Sequence, residues 1–124
     1  MEVPILKQGS YLIASIQSAL SDADLTKLRD KLVAQVGRFR SRGVIVDVTA
    51  FDMMDSFAVR TISSIAHMIK LRGAETVIVG IQPDVAFAMV QLGLTLSGVA
   101  TALDLEEGLW FLDRETRGGR SGGR

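Results

Sequence analysis

A chain of 124 residues, 48% of them hydrophobic, is long enough for one folded domain with its own core and too apolar to stay disordered. Its fourteen basic side chains balance fourteen acidic ones, so net charge gives no steering toward nucleic acid or a membrane surface. With no cysteine, disulfides, thiolate catalysis and cysteine-based metal sites are excluded.

The opening residues Met1-Glu2-Val3-Pro4-Ile5 lack the basic start and long apolar run of a secretion signal. No apolar stretch approaches the ~18–20 residues needed to cross a bilayer, so a cytoplasmic, soluble protein is expected. Near-zero net charge also removes one protection against self-association.

Residues 3–7 and 11–17 read as the two strands of a hairpin, with turn chemistry in Gln8-Gly9-Ser10. Pro4 makes the first strand an edge, because proline cannot donate to a ladder. Ser21-Asp22-Ala23-Asp24 has the form of a capping box, and Leu25, Leu28, Leu32, Val36 and Phe39 then recur at helical spacing. Arg38, Arg40 and Arg42 fall near the carboxyl end of this helix, where cations suit the dipole, and Gly43 is expected to stop it. Those arginines read as a solvated face.

From Gly43 to Thr49 an apolar run is broken only by Asp47, the pattern of a strand buried on both faces. It leads into Asp52-Met53-Met54-Asp55-Ser56-Phe57, a strand-to-helix corner. Beyond it Ala58, Ile62, Ile65, Ile69 and Arg72 line one helical face, and Gly73 closes the helix. His67 shares a different face with Arg60, Ser64 and Leu71 and is expected at the surface. Residues 75–81 form a further buried-type strand. Gln82-Pro83-Asp84 opens a third helix with Val85, Ala86, Met89, Val90 and Leu92 as its apolar face, ended by Gly93. Residues 99–103 read as a short last strand and 105–112 as a last helix anchored by Trp110 and Phe111. Domain limits of 1–113 are expected, with 114–124 a flexible Gly/Arg-rich tail.

The chain has no G-x-G-x-x-G, no Walker glycine loop and no His-Glu-x-x-His. Ser56, His67 and Asp55 do not make a triad. Eleven residues on one helix separate serine from histidine by about 16 Å at about 1.5 Å rise per residue. No enzyme activity, cofactor or metal is therefore expected. Ser56 itself has two readings, a helix N-cap or a phosphoryl acceptor at a helix N-terminus that favours anions.

The element order β-β-α-β-α-β-α-β-α, with Asp55-Ser56 opening the helix after the third strand, resembles the STAS family (sulphate transporter and anti-sigma-factor antagonist domains). The stretches that carry the resemblance are Pro4-Ile5-Leu6-Lys7, Asp52-Met53-Met54-Asp55-Ser56-Phe57, Leu71-Arg72-Gly73-Ala74, Gly80-Ile81-Gln82-Pro83, Leu92-Gly93-Leu94 and Thr101-Ala102-Leu103. The match is strongest to the small stressosome scaffold members of the family. It implies an α/β fold, a single STAS domain with a mixed, mostly parallel five-stranded sheet in the order 1-3-2-4-5, flanked by four helices. It further implies a scaffold of a bacterial stress-signalling complex that sequesters an RsbT-like switch serine/threonine kinase. Phosphorylation at Ser56, supported by Asp52, Asp55 and Phe57, releases the kinase, and a PP2C-type, RsbX-like phosphatase reverses it. Expected partners are RsbR-like STAS paralogues and copies of the chain itself, as a homodimer and larger oligomer, with no nucleic acid and no membrane. Ala88 stands where the sensor paralogues carry a second phosphorylatable threonine, which favours a single-site scaffold. The alternative is a small anti-sigma-factor antagonist that switches partners without a large assembly.

Overall fold

A computed structural model describes residues 2–122, with side chains through residue 116. The elements follow in the order β1 (Ile5–Gln8), β2 (Tyr11–Ser15), α1 (Asp22–Phe39), β3 (Gly43–Asp47), α2 (Ser56–Leu71), β4 (Glu75–Val79), α3 (Pro83–Gln91), β5 (Ala100–Ala102) and α4 (Leu105–Gly122). This is the α/β architecture expected, a five-stranded mixed sheet with four helices.

The sheet order is β1-β2-β3-β4-β5, which corrects the expected 1-3-2-4-5. The cause is local. A two-residue turn at Gly9 (φ +61) and Ser10 pairs β1 antiparallel with β2, setting Ile5 opposite Ala14 and Gln8 opposite Tyr11. The other edge of β2 is then free for β3, and β2 to β5 run parallel.

Crossovers that are right-handed and always step the same way across a sheet leave their helices on one face. One face accordingly packs Leu12, Ala14, Val44, Val46 and Ile78 against residues of α1, α2 and α3 such as Leu28, Leu32, Ile62, Ile65, Val85 and Met89. The other face, with Tyr11, Ile13, Ile45, Val77 and Val79, has α4, whose Leu112 is fully buried there. Two glycines let α4 close on the sheet. A Cβ on Gly108 would lie 2.7 Å from a Val79 methyl, and one on Gly43 2.9 Å from Leu112.

Several sequence expectations shift for identifiable reasons. Gly43 does not stop α1. Arg40 does, in a left-handed conformation (φ 51), with the Ser41 N–H donating to the Val36 carbonyl at 3.0 Å. Phe39, in that last turn, is 38% exposed and outside the core. On α3 only Val85 and Met89 are buried, while Ala86, Val90 and Leu92 face out. Val85 and Met89, four apart, share the stripe toward the sheet, Ala86 and Val90 lie one residue further round, and Leu92 falls after the helix end. Trp110 is 59% exposed with the Arg114 guanidinium 4.4 Å from its ring centroid, so Leu112 is the anchor of α4 and Phe111 is half-buried. The Tyr11 hydroxyl donates to Asp113 and lies 3.4 Å from Thr116 Oγ1, which docks α4 on the sheet through Thr116. Backbone 117–122 continues α4; the rest of the Gly/Arg stretch, 123–124, and the side chains from 117 onward lie outside the described residues.

Candidate functional site

The corner after β3 is built by alternation. Phe51 and Met54, each 4% exposed, turn into the core, while Asp52, Met53, Asp55 and Ser56 turn out. Two apolar pins thus fix a loop whose intervening side chains are free to serve a surface. At its start Asp47 Oδ1 accepts from the Thr49 amide (2.9 Å) and the Thr49 hydroxyl (2.6 Å). At its end Asp55 is extended (φ −82, ψ 178) and its Oδ1 accepts from the Ala58 N–H at 2.8 Å. Asp55 is therefore the N-cap of α2.

Ser56 is the first residue of the helix proper, exposed, and no hydrogen bond among the described residues engages its hydroxyl. Of the two readings left open by the sequence, the cap role has gone to its neighbour. The amides of the first helical turn at this corner have no intrahelical acceptor, which favours negative charge beside them. Phe57 is half-buried and Asp52 is exposed. His67 is exposed further along α2 beside Gly98, as its face predicted.

The next corner supports this one. Gly80 has φ +83, and a Cβ there would meet Thr49 Oγ1 at 2.0 Å, so the loop after β3 nests against the end of β4. The Gln82 side-chain amide donates to the Thr49 carbonyl. Gly80-Ile81-Gln82-Pro83 is legible as a motif; that it braces the Ser56 loop is not, because the bond spans 33 positions in the chain.

All four helices begin at the carboxyl ends of the parallel strands, and their starts carry Asp22, Asp24, Asp55, Asp84, Glu106 and Glu107, with Asp52 and Asp104 in the flanking loops. The opposite end carries Arg38, Arg40, Arg42, Lys70 and Arg72. Zero net charge therefore hides a molecule with an acidic end around Ser56 and a basic end away from it. Net charge alone does not reveal that placement. Beside Ser56 a small cleft of about 110 Å³, lined by Leu20, Asp22, Phe51, Met53 and Asp55 among others, separates the starts of α1 and α2. Met53 stands at its rim, 75% exposed. Among the described residues no three His, Asp or Glu side chains are grouped to hold a metal ion, and no helix is long and apolar enough to cross a membrane.

Comparison with known proteins places this geometry. The sequence model of the STAS domain matches residues 2–107. The RsbT co-antagonist protein RsbRA of Bacillus subtilis (strain 168) is 30% identical over 83 residues, which is 67% of this chain and 30% of that protein. The RsbT co-antagonist protein RsbRD of the same organism is 29% identical over 80 residues, 29% of its length, so the chain spans under a third of these relatives. A structure of Moorella thermoacetica RsbS with a serine-to-glutamate substitution superposes with a TM-score of 0.80 at 32% identity. It covers 94% of this chain and 99% of that one. A chain of the stressosome, described as a signal integration and transduction hub, gives 0.74 at 30% identity over 92% and 99%. The anti-sigma factor antagonist SpoIIAA, at 12% identity and a TM-score of 0.65, shares the fold.

Proposed function

Because the chain belongs to the STAS domain family, we propose that it is a non-catalytic scaffold of a stressosome-type signalling assembly, and that it holds a switch serine/threonine kinase until Ser56 is phosphorylated. One observation carries the proposal: Ser56 stands exposed at the first position of α2 with its hydroxyl unengaged, because Asp55 supplies the cap. A hydroxyl that caps its own helix would have to give up that bond on modification. This one would not.

A phosphate on Ser56 adds about 1.5–2 negative charges at pH 7. The free amides of the first turn accept that charge locally, so the fold need not change. A partner seated over Ser56 would meet a hydrated dianion beside Asp52 and Asp55, and desolvating it would weaken the complex. Phe57, half-buried, follows Ser56 in the first turn of the helix. On this reading the partners are an RsbT-like kinase, a PP2C-type phosphatase that resets the switch, RsbR-like paralogues and further copies of the chain, all in the cytoplasm. Residues 1–113 form the interaction domain, with α4 continuing past that limit to Gly122.

The test is intact mass and site mapping after incubation with the cognate kinase and ATP. One phosphate on Ser56 is expected; none, or phosphate only on Thr61, Ser63 or Ser64, refutes the proposal. Ser56→Ala should retain the kinase and Ser56→Asp should lose it by about tenfold or more, as a charge placed in an interface does. Sedimentation with the paralogues separates a large assembly from a small antagonist that acts alone.

A further inference from the structure

At the end of the molecule opposite Ser56, a groove of about 410 Å³ opens between the β1–β2 turn and the outer part of α4. Its walls include Gln8, Ser10, Arg42, Leu109, Asp113 and Thr116. Arg42 is drawn there by the backbone: its N–H donates to the Ser10 carbonyl at 2.8 Å and its carbonyl accepts from the Glu75 N–H at 3.0 Å. Its side chain is only partly exposed, yet among the described residues its guanidinium has no ion pair or hydrogen bond. The carboxylates nearest in the fold are committed elsewhere. Glu75 pairs with Lys70, and Asp113 accepts from the Tyr11 hydroxyl. Cations taken partly out of water are normally matched by an anion.

Apart from the Asp113 carboxylate, which the Tyr11 hydroxyl engages, the remaining lining is uncharged and mostly hydrogen-bonding. The Thr116 hydroxyl donates to the Leu112 carbonyl at 2.7 Å, which leaves its lone pairs to accept. Ser10 and Gln8 add a hydroxyl and an amide, and half-buried Leu109 one apolar wall. A Cβ on Gly9 would meet nothing within 4 Å, so the turn does not close the groove. The volume lies in the range of small-molecule sites and exceeds what a bare inorganic anion fills. A planar guanidinium binds phosphate or carboxylate through two parallel N–H bonds.

We infer that this groove binds a small hydroxylated organic anion of sugar-phosphate size, with Arg42 holding the charged group and Gln8, Ser10 and Thr116 the hydroxyls. The inference is independent of the reading of Ser56, which lies at the other end of the sheet.

Amide NMR on the full chain, titrated separately with glucose 6-phosphate, inorganic phosphate and glucose, tests it. Glucose 6-phosphate should move the signals of Gln8 to Tyr11, Arg42 and Asp113 to Thr116 saturably. Inorganic phosphate should move the same signals more weakly. Arg42→Gln should weaken both by about tenfold or more, as loss of a charged hydrogen-bonded contact does. Arg42→Lys, which keeps the charge without the fork, should fall between, and Arg40→Gln should change nothing. Spectral dispersion reports whether each variant is folded. Signals that neither anion moves, or that move equally in Arg42→Gln, overturn the site. Equal binding of inorganic phosphate and glucose 6-phosphate overturns the organic part, and binding of glucose alone overturns the role of Arg42.

Discussion

The two ends of the sheet are held by different physics. At the amino end of the parallel strands, attachment is chiefly apolar contact, with the Tyr11–Asp113 bond at its edge: Leu112 sits fully buried against Gly43 and Tyr11, in a space that only a glycine leaves open. At the carboxyl end, around Ser56, the pins Phe51 and Met54 are joined by a set of side-chain hydrogen bonds to nearby backbone. Asp55 caps α2, Asp47 and Gln82 bind Thr49, and at the start of α4 the Asp104 carboxylate accepts from the Glu107 N–H while the Glu107 carboxylate accepts from the Leu103 N–H. Packing bonds are cooperative and intolerant of volume change. Caps are worth about 1 kcal/mol each and can be altered one at a time. An end built of caps can take on charge without unfolding the domain, which is what a modifiable surface requires.

Substitutions graded from one end to the other test this contrast. Leu112→Ala at the packed end should cost about 3 kcal/mol in urea unfolding, the usual loss for a fully buried leucine. A loss below about 1 kcal/mol would mean that α4 is not anchored there. Gly80→Ala, at the capped end but in a left-handed conformation against Thr49, should cost about 2 kcal/mol. That makes it the one backbone position at this end that behaves like core. Asp55→Ala should lose about 1 kcal/mol with its cap, while Ser56→Ala changes stability by no more than about 0.5 kcal/mol. If the two costs were reversed, Ser56 would be the cap and the free-hydroxyl argument would fail. Thr76→Val should raise stability by about 1 kcal/mol, because the Thr76 hydroxyl is buried under the three-helix face with no hydrogen-bond partner among the described residues. A drop on that substitution would indicate a partner for that hydroxyl.

The Asp55–Ser56 pair shows where reading along the chain reached its limit. Both residues are good caps, and their order in the sequence does not say which one leaves the helical conformation. The choice is made by Met54, whose burial sets the phase of the loop and delivers Asp55, not Ser56, to the position before the first turn. Trp110 and Leu112 give a similar lesson at the other end. Size marked Trp110 as the anchor, but the sheet offers a glycine-floored space two residues later, and Leu112 fills it. Arg42 read as a helix-end cation and instead lies beyond the cap at Arg40, half-withdrawn beside the hairpin turn.

The sequence by itself determined the elements, the family and the corner that carries Ser56. These rest on short-range signals: apolar periodicity, the capping box at Ser21 and the turn residues Gly9, Gly73 and Gly93. Tertiary structure decided the rest. It set the strand order, gave one face three helices and the other α4, braced the Ser56 loop through Gly80 and Gln82, and gathered the acidic helix starts at one end. Each of these joins residues far apart in the chain. Composition sums charge without regard to place, and periodicity shows that a face is apolar without showing what will cover it.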